Sequence, residues 1–486
     1  MKTSPLLRQP KWRTVYIIAV LLMFLLAGYN LFANLNEQTI IIWDEARHGV
    51  NAYEMLRDND WVVNTFQGEP DFYNLKPPLS MWIIMISFKL FGFTSFAFRL
   101  PSAVCILLSF LALTLWTRKR HGEMASLIAL LLVVANPMMY QSHGGRTGDA
   151  DAVFQLISTL GMLCMLDSER DIRRLYGSAA CFGLAFLAKS FHGATIPLVC
   201  VLYLICTGQL RRLRLKNYLL LALFGLLPIL PWAVARALRD GASFFTSMYV
   251  VDVQERVAYT TVPSQAYWYA LLKDLVLNPA ADFCLLICAL GVGSKWVKRG
   301  KFSREQVGLG LWIIVPLVVF SLSQVKMYQY TMTILFALPI AAGMAGAFLL
   351  RGKKRRGLKL ACCAVLAVGV AVQVNANIQQ VQNLRPGTFQ EALWEKLDRD
   401  MDSGKHAYIQ YAEGNPLWPE HTAWPAHDML CAQMAGDLIC LNGGTEAFEQ
   451  DEEDAILIAD KNGFPYDLLE FYPIVYEQTY LYMLEN

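Results

Sequence analysis

The chain has 486 residues, of which 55% are hydrophobic and 17% charged, with a net charge of +2 and a mean hydropathy of +0.35. Ordinary soluble domains carry about a quarter charged residues, so this composition excludes a purely soluble enzyme. Nothing in so small a net charge calls for a nucleic-acid partner.

Crossing a hydrocarbon core of ~30 Å takes about 20 helical residues. Apolar runs of that kind begin near Val15, Phe98, Glu123, Asp151, Leu175, Gly193, Tyr218, Ala281, Gln306, Thr331 and Leu358. The run from Pro78 to Phe91 is shorter and flanked by polar loop, which predicts a helix lying at the membrane interface. The expected fold class is a polytopic α-helical membrane protein with about eleven transmembrane helices, interfacial helices and a small C-terminal α/β domain. Residues 1–375 form the membrane domain, with a first loop over 34–97, and residues 376–486 form the soluble domain. In the latter, strand-like runs cover His406–Tyr411, Leu438–Leu441, Ala455–Ala459 and Ile474–Leu481, and a helix covers Phe389–Met401.

Basic clusters fall in every second connection, among them Arg118/Lys119/Arg120, Arg170/Arg173/Arg174 and Arg211/Arg212/Arg214/Lys216. Short basic loops stay in the cytoplasm. That pattern predicts a multi-pass protein of the cytoplasmic membrane with its N-terminus inside and its C-terminal domain outside. The first span lacks a small-residue cleavage site and reads as a retained helix. Cys431 and Cys440 lie in the outer domain, where a disulfide between them is chemically permitted.

Ionisable residues gather in the outward loops. The first loop carries W-D-E-A-R-H-G at Trp43–Gly49 and L-K-P-P at Leu75–Pro78. Later loops and span ends carry His143, Arg146, Asp149 and Asp151, then Lys189 and His192, then Asp252, Glu255 and Arg256, then Lys326, Tyr328 and Tyr330. The set suits glycosyl transfer from a lipid phosphate. A carboxylate takes the acceptor's proton, and cations hold the phosphate as charge grows on it. Asp44 or Asp151 fits the first role, with Glu45 beside it as a third candidate carboxylate. Lys76, Lys189, Arg256, Lys326 and the Tyr330 hydroxyl fit the second.

Plainer roles compete with these. Asp44 precedes an amphipathic stretch and can act as a helix N-cap, as can Asp151. Asp149 and Asp151 stand two apart, so on a helix they face different ways, and Asp151 is the one expected to face a shared site. Lys326 and Arg256 can be snorkelling residues at span ends. His48, His143 and His192 show no helical ligand spacing, so no metal ligand is assigned.

Several of these segments resemble the aminoarabinose-transferase and protein O-mannosyltransferase superfamily of membrane glycosyltransferases. They are W-D-E-A-R-H-G-V-N-A-Y-E-M-L at Trp43–Leu56, D-W-V-V-N-T-F-Q-G-E-P at Asp60–Pro70 and K-P-P-L at Lys76–Leu79. Further on come G-R-T-G-D-A-D-A at Gly145–Ala152, F-L-A-K at Phe186–Lys189 and F-S-L-S-Q-V-K-M-Y-Q-Y at Phe320–Tyr330. The resemblance covers roughly residues 10–350 in order and spacing. It implies a monosaccharide donor on a polyprenyl phosphate, a lipid, glycan or protein hydroxyl as acceptor, and single displacement with inversion. Asp44 is then the base, Asp151 positions the acceptor or shares that role, and Lys76, Lys189, Arg256 and Tyr330 bind the donor phosphate. No cofactor is assigned, and a divalent metal is left open. Many relatives carry an acidic residue just before the first-loop lysine, whereas this chain has Leu75 preceded by Asn74, which argues against a metal site at that point. Two other classes fit a chain of this shape: a transporter or flippase for a lipid-linked sugar, and an inactive cell-envelope scaffold. A transporter calls for charges near mid-membrane and paired halves with broken helices.

Overall fold

The computed structural model describes residues 10–41, 43–255, 267, 269–297, 301–351, 356–411, 424–461, 466–477 and 481–486. It is a helical membrane domain whose loops at one end carry a mixed α/β domain. The first elements are α1 (Pro10–Phe32), α2 (Asp44–Arg57), the two-stranded ribbon β1 (Thr65–Phe66) and β2 (Glu69–Pro70), and α3 (Leu79–Phe91). Then come α4 (Ser95–His121), α5 (Glu123–Ala135), α6 (Asp151–Asp167), α7 (Arg174–Lys189) and α8 (Thr195–Cys206).

Among the described residues, five helices are long and apolar enough to cross a bilayer, and eight if each of three bent pairs counts as one span. Eleven separate spans are therefore not confirmed. Glu123–Ala135 has 13 residues, short of the usual crossing length, and Asp151–Asp167 has 17, at its lower limit. The runs predicted from Leu175 and Gly193 join through a 3-10 turn at Ser190–Ala194 into one 33-residue stretch. The bends between Leu215–Leu226 and Leu230–Asp240 (53°) and between Ala270–Val276 and Pro279–Ser294 (91°) follow prolines that remove a helical N–H donor.

The two ends of the bundle differ in chemistry. Where α4 and α6 end and helix Arg304–Leu322 begins, Arg120 Nε lies 3.2 Å from Asp167 and 3.5 Å from Glu305. At the opposite end lie the start of α6, the end of α7 and the whole first loop. Alternating chain direction puts the basic connections at one end and the loops bearing Asp44, Lys76, Asp151 and Lys189 at the other.

The last apolar helix, Arg356–Gln382, runs beyond the composition change near residue 375. After it come helices Thr388–Lys396 and Arg399–Asp402, then β3 (His406–Gln410), helix Ala426–Gly436, β4 (Ile439–Cys440), β5 (Ala455–Asp460), β6 (Ile474–Glu477) and β7 (Leu481–Glu485). The sheet order is β4-β3-β5-β7-β6, with β3 parallel to β4 and β5, and β7 antiparallel to β5 and β6. The expected single strand Ile474–Leu481 is instead the two arms of a hairpin. The expected helix Phe389–Met401 is broken in two, and Asp398 caps the second piece by accepting from Asp400 N. Cys431 and Cys440 are both buried and unbonded.

This domain is not separate from the first loop. One apolar cluster holds Ala46, Val50 and Tyr53 of α2, Met81 and Met85 of α3, and Leu393, Met429 and Leu430 of the C-terminal domain. Gly49 of α2 meets Leu430 so closely that a Cβ there would press into its side chain. Tyr53 hydroxyl donates to Asp437, and Arg399 Nη2 pairs with Asp437 at 2.6 Å.

Candidate active site

α2 is held in place by a carboxylate, though not by Asp44. Its first residue is Asp44, and neither Asp44 nor Trp43 makes a side-chain capping bond, so the capping role expected of Asp44 is absent. Its neighbour Glu45 is 1% exposed and sits in a fork with Arg99, at 2.6 Å to Nε and 3.0 Å to Nη2. It also accepts from the backbone N–H of Ile41 at 2.8 Å and of Gly148 at 2.9 Å. With both oxygens engaged on four donors, Glu45 ties the first loop to α4 and to the loop before α6. All four donors are protein groups, which gives Glu45 a structural role at this junction.

Asp44 instead faces Lys76, whose Nζ lies 3.4 Å from Oδ1. That ammonium holds the Asp44 carboxyl down to about 2; burial opposes the shift, while His143 and Lys189 add to it. The Asp44 side chain is 52% exposed, so solvent screens part of the pull. Proximity of these four groups is the structural point: residues from three separate loops share one field.

Asp151 opens α6 and is buried. Its Oδ1 receives Lys189 Nζ from the end of α7. Its Oδ2 lies 3.0 Å from His143 Nδ1, and Asp149 Oδ2 lies 2.9 Å from the same nitrogen. Asp149 and Asp151 thus converge, against the helical argument, because Asp149 precedes the helix. Asp149 also accepts from Asp151 N at 3.0 Å, so it does the capping expected of Asp151. Burial alone would lower the His143 pKa, but Asp149 and then Asp151 outweigh it and raise it to about 11, so the ring is an imidazolium at neutral pH. His143 has φ +63° and Ser190, next to Lys189, has φ +49°. Such backbone is rare for residues with a Cβ and clusters at functional sites.

Among the described residues, His143, Asp149 and Asp151 form the one group of three that brings metal-ligand atoms within 4.8 Å of one another. A divalent ion there would compete with the Lys189 ammonium for Asp151. The sequence spacing did not show this grouping, since a loop and not a helix creates it.

The remaining candidates are more scattered. Tyr330 is buried, its ring 5.2 Å from His192 and 4.9 Å from Phe320. Tyr328, from the same turn, lies edge-on to His143 at 5.9 Å, which puts this turn beside the carboxylate cluster. Lys326 is buried and donates to Ser323 O at 2.7 Å, a bond to its own loop. Ser190 hydroxyl donates to Asp252; Arg256, four residues on, lies outside the described residues.

Residues 75–234 match the family of dolichyl-phosphate-mannose-protein mannosyltransferases. An undecaprenyl phosphate-alpha-4-amino-4-deoxy-L-arabinose arabinosyl transferase of Aeromonas hydrophila is 31% identical over 346 residues, covering 67% of this chain and 61% of that one. The enzyme of the same name from Pseudomonas aeruginosa strain UCBPP-PA14 is 30% identical over 380 residues, 76% of this chain and 67% of its own. The chain therefore spans about three fifths to two thirds of these relatives' length. In three dimensions it overlays ArnT from Cupriavidus metallidurans bound to undecaprenyl phosphate with a TM-score of 0.71 at 18% identity, covering 98% of both chains. That overlay extends the shared fold through the C-terminal domain, beyond the matching sequence. A multi-pass membrane scaffold, the ordered loop motifs and these matches together make the chain a member of the aminoarabinose-transferase and protein mannosyltransferase superfamily.

Proposed function

We propose that the protein is a glycosyltransferase that moves a monosaccharide from an undecaprenyl-phosphate-type donor to a hydroxyl acceptor at the outer face of the cytoplasmic membrane. The observation that carries this reading is the pairing of Asp44 with Lys76, 3.4 Å apart, beside the buried Asp151–Lys189–His143 cluster. A free carboxylate edge and several cations at one bundle end match what a phosphate leaving group and an attacking hydroxyl require.

In this mechanism the acceptor oxygen attacks the anomeric carbon and its proton passes to Asp44. The bond from the anomeric carbon to the phosphate oxygen breaks, and its electron pair leaves on the lipid phosphate, giving inversion. A carboxylate held near pKa 2 is a weak base. An arriving phosphate neutralises Lys76 and removes the largest pull on Asp44, so substrate binding itself raises the basicity of Asp44. Asp151 orients the acceptor, with Lys189 and the His143 imidazolium balancing its charge. Arg256 and Tyr330 complete the phosphate site, and Lys326 supports the turn that carries Tyr330.

The basic connections at the far end of the bundle favour a cytoplasmic N-terminus and an extracytoplasmic C-terminal domain. The acceptor is a lipid, glycan or protein hydroxyl. A transporter or flippase fits less well, since the ionisable cluster gathers at helix ends and not midway along them. Purified protein incubated with a panel of undecaprenyl-phosphate sugars and membrane acceptors, with products read by mass spectrometry, tests the reading. Transport of the intact lipid-linked sugar with no glycosyl product would refute it.

A further inference from the structure

Lys76 does not stand alone at the site; a buried relay of side chains aims it. Asn74 Oδ1 accepts from Lys76 Nζ at 3.2 Å. The amide nitrogen of Asn74 donates one hydrogen to Asn51 Oδ1 at 2.7 Å and faces His48 Nδ1 at 3.2 Å with the other. His48 Nε2 lies 2.8 Å from Ser80 Oγ. His48 and Asn51 are completely buried and Asn74 is 5% exposed.

Hydrogen-bond bookkeeping leaves one arrangement. An ammonium only donates, so the Asn74 atom facing Lys76 must be oxygen. The amide nitrogen then needs two acceptors, Asn51 Oδ1 and His48 Nδ1. His48 must therefore be the neutral tautomer with its proton on Nε2, donating to Ser80. Burial, reinforced by Lys76, pulls the His48 pKa down to about 3, which keeps the ring neutral. With Asp44 and Asn74 each taking one N–H, the third N–H of Lys76 has no partner among the described residues.

We infer that Asn74, oriented by the Nδ1 acceptor of His48, is a positioning residue that turns the free N–H of Lys76 toward the donor phosphate. The inference rests on the reading of Lys76 as a phosphate ligand. If His48 offered a donor instead, the Asn74 amide would lose one of its two acceptors, and turning over would set an NH2 against an ammonium.

The test uses the full-length protein in nanodiscs and undecaprenyl phosphate as the probe. An asparagine at position 48 sets its Oδ1 near the place of Nδ1, while a glutamine reaches the place of Nε2 and supplies no acceptor at Nδ1. We expect Lys76→Ala and His48→Gln each to weaken probe binding about tenfold, the size of one lost bond to a charged group. Asn74→Leu should behave like His48→Gln, and His48→Asn should stay within about twofold of wild type by the same reasoning. Thermal midpoints identify any variant that fails to fold, and the Asn/Gln contrast at position 48 is then read on the folded ones. Equal binding by His48→Asn and His48→Gln overturns the inference while Lys76→Ala still weakens binding. Unchanged binding by Lys76→Ala overturns the underlying phosphate assignment as well.

Discussion

Asp44 and Lys76 are 32 positions apart in the chain and meet at 3.4 Å across the first loop. The ammonium lowers the basicity of the carboxylate in the free protein, and in the proposed mechanism an arriving phosphate takes over as its ion-pair partner. Asp44→Asn keeps the shape and removes the proton acceptor. Turnover should fall at least ~100-fold, the range for a lost general base, while undecaprenyl phosphate binding is kept or strengthened because a competing anion is gone. A near-normal rate would move the base to Asp151.

The sign of the Asp44 shift sets a pH expectation. Its pKa is depressed from 3.8 to about 2, so the favourable Asp44–Lys76 interaction is present above 3.8 and fades as pH falls toward 2. The free-enzyme profile of kcat/KM should show no limb from Asp44 through the neutral range. Lys76→Met removes the chief cause and should bring an acidic limb to higher pH. A wild-type limb near neutrality that vanishes in Asp44→Asn would contradict this.

His143 runs the other way. Its pKa is raised from 6.5 to about 11, so the stability it contributes is complete below 6.5 and drains as pH rises toward 11. The difference in thermal midpoint between wild type and His143→Gln should be largest near pH 6 and shrink steadily on alkaline titration. A difference that grows with pH would mean the ring is neutral in the folded protein.

The Glu45–Arg99 pair is fully buried, at 1% and 0% exposure. Glu45→Gln leaves Arg99 charged and poorly compensated, a loss of about 3–5 kcal/mol. Thermal denaturation in detergent should register it, and adding Arg99→Met should recover part of the loss. A fully stable Glu45→Gln protein with reduced turnover would favour a catalytic role for Glu45.

Gly49 is a close contact between the loop that carries Asp44 and the C-terminal domain. An added Cβ would press into Leu430 and lie 2.8 Å from Phe98 Cζ. Gly49→Ala should destabilise by about 1–3 kcal/mol, as overpacking does, with Leu430→Ala relieving part of it. Equal stability of wild type and Gly49→Ala would show that the interface yields.

Orientation is tested separately. Lys396 is exposed at the end of helix Thr388–Lys396, so Lys396→Cys in intact spheroplasts should react with a membrane-impermeant maleimide. Labelling only after the membrane is broken would reverse the topology.

The sequence by itself determined the membrane class and the alternation of basic and ionisable connections, and it singled out Asp44, Lys76, Asp151 and Lys189 as site candidates. These are local signals: hydropathy accumulates along a run, and charge pattern depends only on which loop a residue occupies. The number of spans stays unconfirmed, because hydropathy does not register a bend or a 3-10 turn within an apolar stretch. Only the tertiary structure decided the partners. Glu45 stands beside Asp44 in the chain, yet one is locked under Arg99 and the other faces Lys76, since successive helical residues point about 100° apart. Asp149 joined Asp151 because the chain bends before the helix begins. The positioning role of His48 and Asn74 was not legible, because a polar side chain acquires a role from the donors and acceptors that folding brings within about 3 Å of it, and those lie from two to thirty-two residues away.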